Sequence, residues 1–440
     1  MSREQERIRK KLENNPIAEC NKIQNRFCPE LFSMFGRVKD PRNQSYIDYS
    51  SRVMLGTMYY KSIAGISSMQ EMTRTFNDEK ICRNLYRFMG EEVKDYMPHG
   101  VTENEFLERL DPRELENVQQ NIVYSMIRRK TFDNAKVLKK WQIIVDATEL
   151  DEGYQKKNEH YLSRCYNRGS DKEYIKYHRS ILEAKIYFGE NLVCSIASET
   201  IENSEKYINQ SDEAVKQDCE SKAFVRLAAK IKQKFPRLPI IITADGLYVT
   251  KTVLQICKDY HWDYIIRYKE GCASSIAKEY RALPEKETIG TDIEYQNKIM
   301  FNDFDVNLIY YRERWIVKGE EKEREFAWIT SIEITKSNAK KIVRAGRNRW
   351  KIENQGFNRQ KHWQGDIEHA CSWNERAQKN HYLMEQIADF VKQLYEYFYL
   401  EKNGIKKLQK NISPELLASF GRQLTETEDI PVQLNNSVQN

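Results

Sequence analysis

Two short apolar runs, WQIIVDAT and LPIIITADG, each stop abruptly at an aspartate, Asp146 and Asp245. Short apolar runs centred on three consecutive β-branched residues, Ile143–Val145 and Ile240–Ile242, read as buried strands, so each acid is expected at the carboxyl end of a strand. The segments around them fix a sheet. ILEAKIYF and NLVCSIAS, joined by Gly189-Glu190-Asn191, read as a β-hairpin. An amphipathic helix over about Ser211–Phe235 carries AFVRLAAKI and is stopped by Pro236 and Pro239. A helix over VTKTVLQICKDY and a strand over WDYIIRY come next. The order strand–strand–strand–helix–strand–helix–strand predicts a mixed α/β sheet.

Either side of that sheet the pattern changes. Residues 1–140 read as helical: Tyr46–Met72 has apolar residues at helical spacing, and Val101–Val118 begins with a T-x-x-E capping box ahead of Phe106 and Leu107. Residues 285–333 alternate like strands, with a turn at Lys318-Gly319-Glu320, and read as a β-rich insertion. The helical period returns at Ser337 and runs to about Leu400, within a region taken as 141–400; the rest, 401–440, reads as a helical tail that becomes polar and disordered beyond Glu426. A chain of 440 residues divides into two or three domains, and 40% hydrophobic content is enough to give each a core. The start, MSREQERIRKK, has no apolar signal region, and no stretch approaches the ~18 apolar residues of a membrane helix. Nine cysteines are scattered with no CxxC pair, which suits free thiols. The expectation is a cytoplasmic protein with no membrane partner.

The net charge of +6 is modest, and its distribution says more. The segment KSNAKKIVRAGRNRWKIENQGFNRQK holds Lys336, Lys340, Lys341, Arg344, Arg347, Arg349, Lys351, Arg359 and Lys361 around one acid, Glu353. A solvated helix face normally mixes both signs. On a continuous helix Arg349 at i−4 and Lys361 at i+8 would flank Glu353. One acid at a strand end is ordinarily a turn or helix cap, and Glu353 with Arg349 alone would be an ordinary ion pair. Two aspartates at matching strand ends, with a glutamate set among cations, instead suit an oxygen-rich site for Mg²⁺ or Mn²⁺ beside phosphates. His160, Cys165 and His178 fit no zinc spacing. His369 and His381 read as packing or DNA-proximal residues, and Trp350 is expected in the core.

The segments IIVDATEL, IITADGLY and GRNRWKIENQGFNRQK, in that order, resemble the DDE transposases of bacterial insertion sequences, specifically insertion-sequence family four. The similarity takes in ILEAKIYFGENLVCSIASETIEN, FAWITSIEIT, IEHACSWNERAQKNHYLMEQIADF and the earlier DPRNQSYIDY and AGISSMQEMTRTF, and so spans about Asp40 to Tyr399. It implies a ribonuclease-H-like fold with a β-strand insertion before the glutamate helix, and a helical N-terminal region for DNA binding and dimerisation. It also implies catalytic, metal-binding roles for Asp146, Asp245 and Glu353 with two Mg²⁺ or Mn²⁺ ions, and DNA contacts from Arg349, Lys361, Lys351, Arg347, Arg344 and Arg359. The implied partners are double-stranded DNA (terminal inverted repeats and target) and a second copy of the chain, at the nucleoid. Within the family's signature of tyrosine, two residues, arginine, three residues, glutamate, six residues, lysine, Arg349 fits. Gly346 stands at the tyrosine position and Gln360 at the lysine position, with Lys361 one residue late. The rival readings are a catalytically inactive or domesticated DNA-binding protein of the same fold, and a stand-alone nuclease.

Overall fold

A computed structural model of the protein describes residues 3, 15–203, 217–283, 285–317 and 320–422. Its sheet is built from β1 (Trp141–Gly153), β2 (Leu162–Tyr166), β3 (Tyr174–Tyr187), β4 (Val193–Ile201), β5 (Ile240–Ala244), β6 (Asp263–Tyr268), β7 (Glu287–Ile289), β8 (Ile293–Phe301), β9 (Phe304–Val317) and β10 (Glu320–Thr330). The order is β2-β3-β1-β5-β6-β10-β9-β8-β7, with β4 also paired to β3. β5 runs parallel to both β1 and β6, whereas β4 is antiparallel to β3. The run β4-β3-β1-β5-β6 is the ribonuclease-H-like mixed sheet. The hairpin expected at Gly189-Glu190-Asn191 is present, and positive φ at Gly189 (94°) and Glu190 (48°) lets the chain reverse there.

The chain divides into two compact units, one with the described residues up to Arg129, Leu150–His178 and those from Phe357 onward, the other with Lys130–Glu149 and Arg179–Gly356. In the second unit Trp141–Val145 and Ile240–Ala244 are buried throughout. A fully buried isoleucine contributes roughly 1.5–3 kcal/mol, so these runs hold the middle of the sheet firmly. The expected β-rich insertion turns out to extend this sheet: β10 pairs antiparallel with β6, and β9, β8 and β7 continue outward. β9 and β10 pair as far as Val317 and Glu320; Lys318 and Gly319 of the expected turn lie outside the described residues. The helix Ala339–Arg347 packs Ala339, Ile342, Val343 and Ala345 on Ile241, Ile265, Ile309, Phe326 and Trp328. Gln142 of β1, itself fully buried, fastens the end of that helix. Its amide nitrogen donates to Ala345 O (2.7 Å) and Thr243 Oγ1 (2.9 Å), and its oxygen accepts from Asn348 (2.9 Å). A helix end left with open carbonyls is thereby tied to the strands that carry both aspartates.

The first unit is mainly helical. The helix Glu375–Tyr395 runs through it almost wholly buried, against Pro16–Phe27, Ser51–Ile63, Gly100–Arg109 and Pro112–Ile127. In the same unit β2 pairs with the first residues of β3, Tyr166 opposite Tyr174 and Leu162 opposite His178. β2 and the early start of β3 were not anticipated from the sequence.

Several expected helices divide. Tyr46–Met72 is not one helix: Ser50 caps Ser51–Ile63, Gly65 at φ 69° ends the turn after it, and Ser68 caps Met69–Phe76. The capping box at Thr102–Glu105 is absent, because the helix already begins at Gly100 with His99 as cap and ends at Arg109, and a second helix starts at Pro112. Of the helix expected over Ser211–Phe235 the structure gives Glu220–Lys234; residues 211–216 lie outside the described residues, as does the tail beyond Glu426. The segment from Ser337 to Lys361 also breaks, into Ala339–Arg347, Trp350–Ile352, a π-turn over Glu353–Phe357 and Asn358–His362. A π-turn adds a residue to the repeat and so rotates the residues beyond it by about 100°; the i+8 alignment of Lys361 with Glu353 does not hold.

Candidate active site

The parallel register pairs Ile144 with Thr243, so Asp146 and Asp245, each two residues farther on, stand at the same level just past the last pair. Asp245 follows the end of β5, but β1 runs on to Gly153, so the strand end expected at Asp146 is only the end of its pairing with β5. Adjacent parallel strands lie about 4.8 Å apart. Asp245 caps the short turn Gly246–Tyr248, its Oδ1 accepting from Gly246 N at 2.6 Å, and Lys269 Nζ, just past β6, lies 3.8 Å from the same oxygen. Glu353 opens the π-turn and is 42% exposed. One side chain connects it with the first strand: Arg349 Nη1 lies 2.9 Å from Asp146 Oδ2, and Nη2 lies 3.9 Å from Glu353 Oε2.

The electrostatics of this pocket are set first by burial of Asp146 and then by the charges around it. Burial pushes the Asp146 carboxyl up to about 6. Arg349 and the N–H of Ala147 pull it down, while Glu220 and Asp245 push it up. A carboxylate taken partly out of water beside two others binds a small hard cation well, because the cation restores the ionised form. Every acid here offers oxygen, the donor type Mg²⁺ and Mn²⁺ prefer. Oxygens of Asp146, Asp245 and Glu353 do not all gather within 4.8 Å of one another, and Arg349 reaches both Asp146 and Glu353.

Beside the acids stands a group of arginines that the sequence reading missed in part. The Arg347 guanidinium lies 4.0 Å from the centre of the Phe326 ring, Arg267 4.9 Å and Arg324 5.1 Å. Burial holds the Arg267 pKa below its ordinary value; Asp245 opposes this, and Arg324, Arg347 and Arg349 add to it. Arg267 and Lys269 end the third parallel strand, so the strand-end rule that found the aspartates applies to them too. Glu220 and Tyr248 were also missed; 28 residues separate this hydrogen-bonded pair, and no local pattern announces it.

The cation-rich segment serves several purposes. Arg344 is exposed, Arg347 pairs with Glu313 at 3.2 Å, and Lys351 donates to Asn191 at 2.6 Å. Lys361 pairs with Glu368 at 2.6 Å. Arg359 is not a DNA contact, contrary to expectation: it is 3% exposed and clasped by Asp389 and Glu396. Gln360, at the lysine position of the signature, is buried and donates to Gln386 and Asp389. Trp350 is not core either; it is 39% exposed, with the Arg349 guanidinium 5.3 Å from its ring. At the tyrosine position, Gly346 lies so near Trp328 that a Cβ would fall 2.4 Å from the indole. Among the histidines, His178 is buried, which lowers its pKa, and His381 bonds Asn104 at 2.8 Å.

Residues 214–384 match the family described as the transposase DDE domain. The match takes in Asp245, Glu353 and the arginine-rich segment and leaves Asp146 outside it. It supports transposase activity in general, which implies a DNA substrate. No curated protein matches the chain. Among the described residues no helix is long and apolar enough to cross a membrane.

Proposed function

We propose that the protein is a DNA transposase of the insertion-sequence type, with Asp146, Asp245 and Glu353 as metal-binding catalytic acids. The observation that carries this reading is the level placement of two aspartates just past the paired stretch of neighbouring parallel strands, with Arg349 linking the first of them to Glu353. The family match over the second and third acids adds to it. Two divalent ions held by such acids would activate the attacking oxygen and stabilise the leaving 3′-oxygen. The protein's own part is to fix and balance the acids. Gln142 holds the helix end that leads to Arg349. Arg349 keeps two like charges in place, and its planar fork can serve both where a lysine could not. Arg267 and Arg347 supply positive charge for the phosphates of a bound strand, and exposed Arg344 with Lys336, Lys340 and Lys341 extends it. A dimer acting on terminal inverted repeats at the nucleoid fits this reading.

The test is incubation of the full chain with its flanking inverted repeats and Mn²⁺. Cut ends and products joined to target DNA are expected, and neither from Asp146→Asn. Cutting without joining would make it a nuclease; binding without cutting would return it to the inactive DNA-binding reading.

A further inference from the structure

Glu353 is bracketed by the hairpin of β3 and β4, which meets the chain on both sides of it. Two residues before the glutamate, Lys351 donates to Asn191 of the hairpin turn at 2.6 Å. Three residues after it stands Gly356, inside the π-turn that Glu353 opens. A Cβ at Gly356 would fall 2.8 Å from Cε of Lys185, 3.3 Å from its Cδ and 3.8 Å from its Nζ, so the lysine stem fills the notch that the missing side chain leaves. Gly356 has no positive φ, and it is this close approach rather than the backbone that calls for glycine there. Lys185 itself is 1% exposed. Glu183, two residues earlier on β3 and fully buried, carries the opposite charge and accepts a hydrogen bond from Ser195. A buried ammonium cannot leave the opposite charge near it without a large penalty, which keeps the stem in place. The pairing with β4 also slips at this lysine: Ala184 faces Ala197 but Lys185 faces Ser195, which leaves Ile196 as a bulge. Bulges re-aim side chains and are common beside active sites. A π-turn is likewise a rare departure inside a helix, concentrated at functional sites. The two irregularities meet where Lys185 touches Gly356.

We propose that Lys185 is a positioning residue for Glu353: lodged against Gly356, it sets the π-turn that presents the glutamate to the cation site, an assignment that rests on reading Glu353 as a metal-binding acid. Three measurements on the full chain test it: Mn²⁺ affinity without DNA by calorimetry, DNA affinity, and the cleavage rate at saturating DNA. Gly356→Ala, whose methyl displaces the lysine stem, should weaken Mn²⁺ binding roughly 10-fold and slow cleavage roughly 10- to 100-fold, with DNA affinity within about two-fold of the parent. Lys185→Ala should do the same. In the double variant the methyl meets no lysine stem, so the two losses should fall well short of multiplying. Circular dichroism and urea unfolding verify that each variant is folded. Parental Mn²⁺ affinity and cleavage in folded Gly356→Ala and Lys185→Ala, with both lost in Glu353→Gln, would overturn the proposal and leave Lys185 a packing residue. Losses that multiply in full would overturn it too, since the two residues would then act apart. Parental Mn²⁺ affinity and cleavage in Glu353→Gln would instead sink the metal reading of this acid, whatever the other variants do. If Lys185→Ala does not fold, Gly356→Ala, which adds a single methyl, decides.

Discussion

Two arginines ten residues apart each hold two carboxylates, and the contrast between them separates chemistry from scaffold. Arg359 in the helical unit meets Glu396 with two nitrogens, at 2.6 and 2.9 Å, and Asp389 at 3.4 Å, with Gln409 at 2.8 Å. All three charged groups are buried. Burial raises the pKa of Glu396, but the charge and hydrogen bonds of Arg359, with Lys392 and Gln409, together outweigh it and leave the carboxyl below its ordinary value. Arg349 in the sheet unit has one short contact, to Asp146, and one long one, to Glu353, and the Asp146 carboxyl stays well above its ordinary value. The first constellation is satisfied and closed; the second is open, loosely paired and reached by solvent. Structural ion pairs resemble the former, and sites that await a ligand resemble the latter.

The largest effects should come from exchanging the roles of these arginines. Arg359→Met is expected to lose about 3–5 kcal/mol of stability, since two buried acids lose their shared partner. Arg349→Met is expected to cost only about 1 kcal/mol, its acids being partly solvated, yet to abolish strand cleavage. Urea unfolding and a cleavage assay on both variants check this. A stable Arg359→Met protein, or an Arg349→Met protein that cuts normally, would erase the distinction.

A smaller effect is expected at Gly346, where the sheet unit depends on a close approach. Gly346→Ala sets a methyl against the Trp328 indole and should cost about 1–3 kcal/mol through displacement of the helix leading to Arg349. With Trp328→Leu as the background, the cost of the same alanine should shrink. Equal costs in both backgrounds, measured by urea unfolding, would place the strain elsewhere.

These residues also mark how far the sequence could be read. The strands behind Asp146 and Asp245 were legible because an unbroken aliphatic run is rare outside a buried strand, and the acid ending it breaks the pattern visibly. Glu353 was legible by contrast with nine cations. What became of those cations was not. Counting charge treats Arg349 and Arg359 alike, and the acids that claim them, Asp146 on one side and Asp389 with Glu396 on the other, come from distant or later segments. The π-turn at Glu353 was hidden for a similar reason: a helix that shifts its register by one residue retains helical composition. Gly346 and Trp328 show the same limit, since the glycine reads as a departure from a signature until the indole packed on it is seen.

The smallest expected effect concerns a buried acid in the helical unit that lacks what Glu396 has. Glu103 is fully buried in the helix Gly100–Arg109, and neither carboxyl oxygen finds a hydrogen-bond partner among the described residues. Burial pushes its pKa well above the ordinary value, and the Arg42 charge pulls back only in part. Because the folded pKa is raised, the folded state holds a proton that the unfolded chain releases near pH ~4.3. Folding stability from this group is therefore complete below that pH and declines as pH rises through the window up to the folded pKa. Glu103→Gln removes the titration while keeping the shape. Its melting temperature relative to the parent should rise from pH 5 to pH 8, whereas a matching substitution at well-paired Glu396 should lower it at both. A Glu103→Gln difference that stays constant across that range would mean that Glu103 is ionised in the folded protein, and that burial without a partner does not set the helical unit's acids apart.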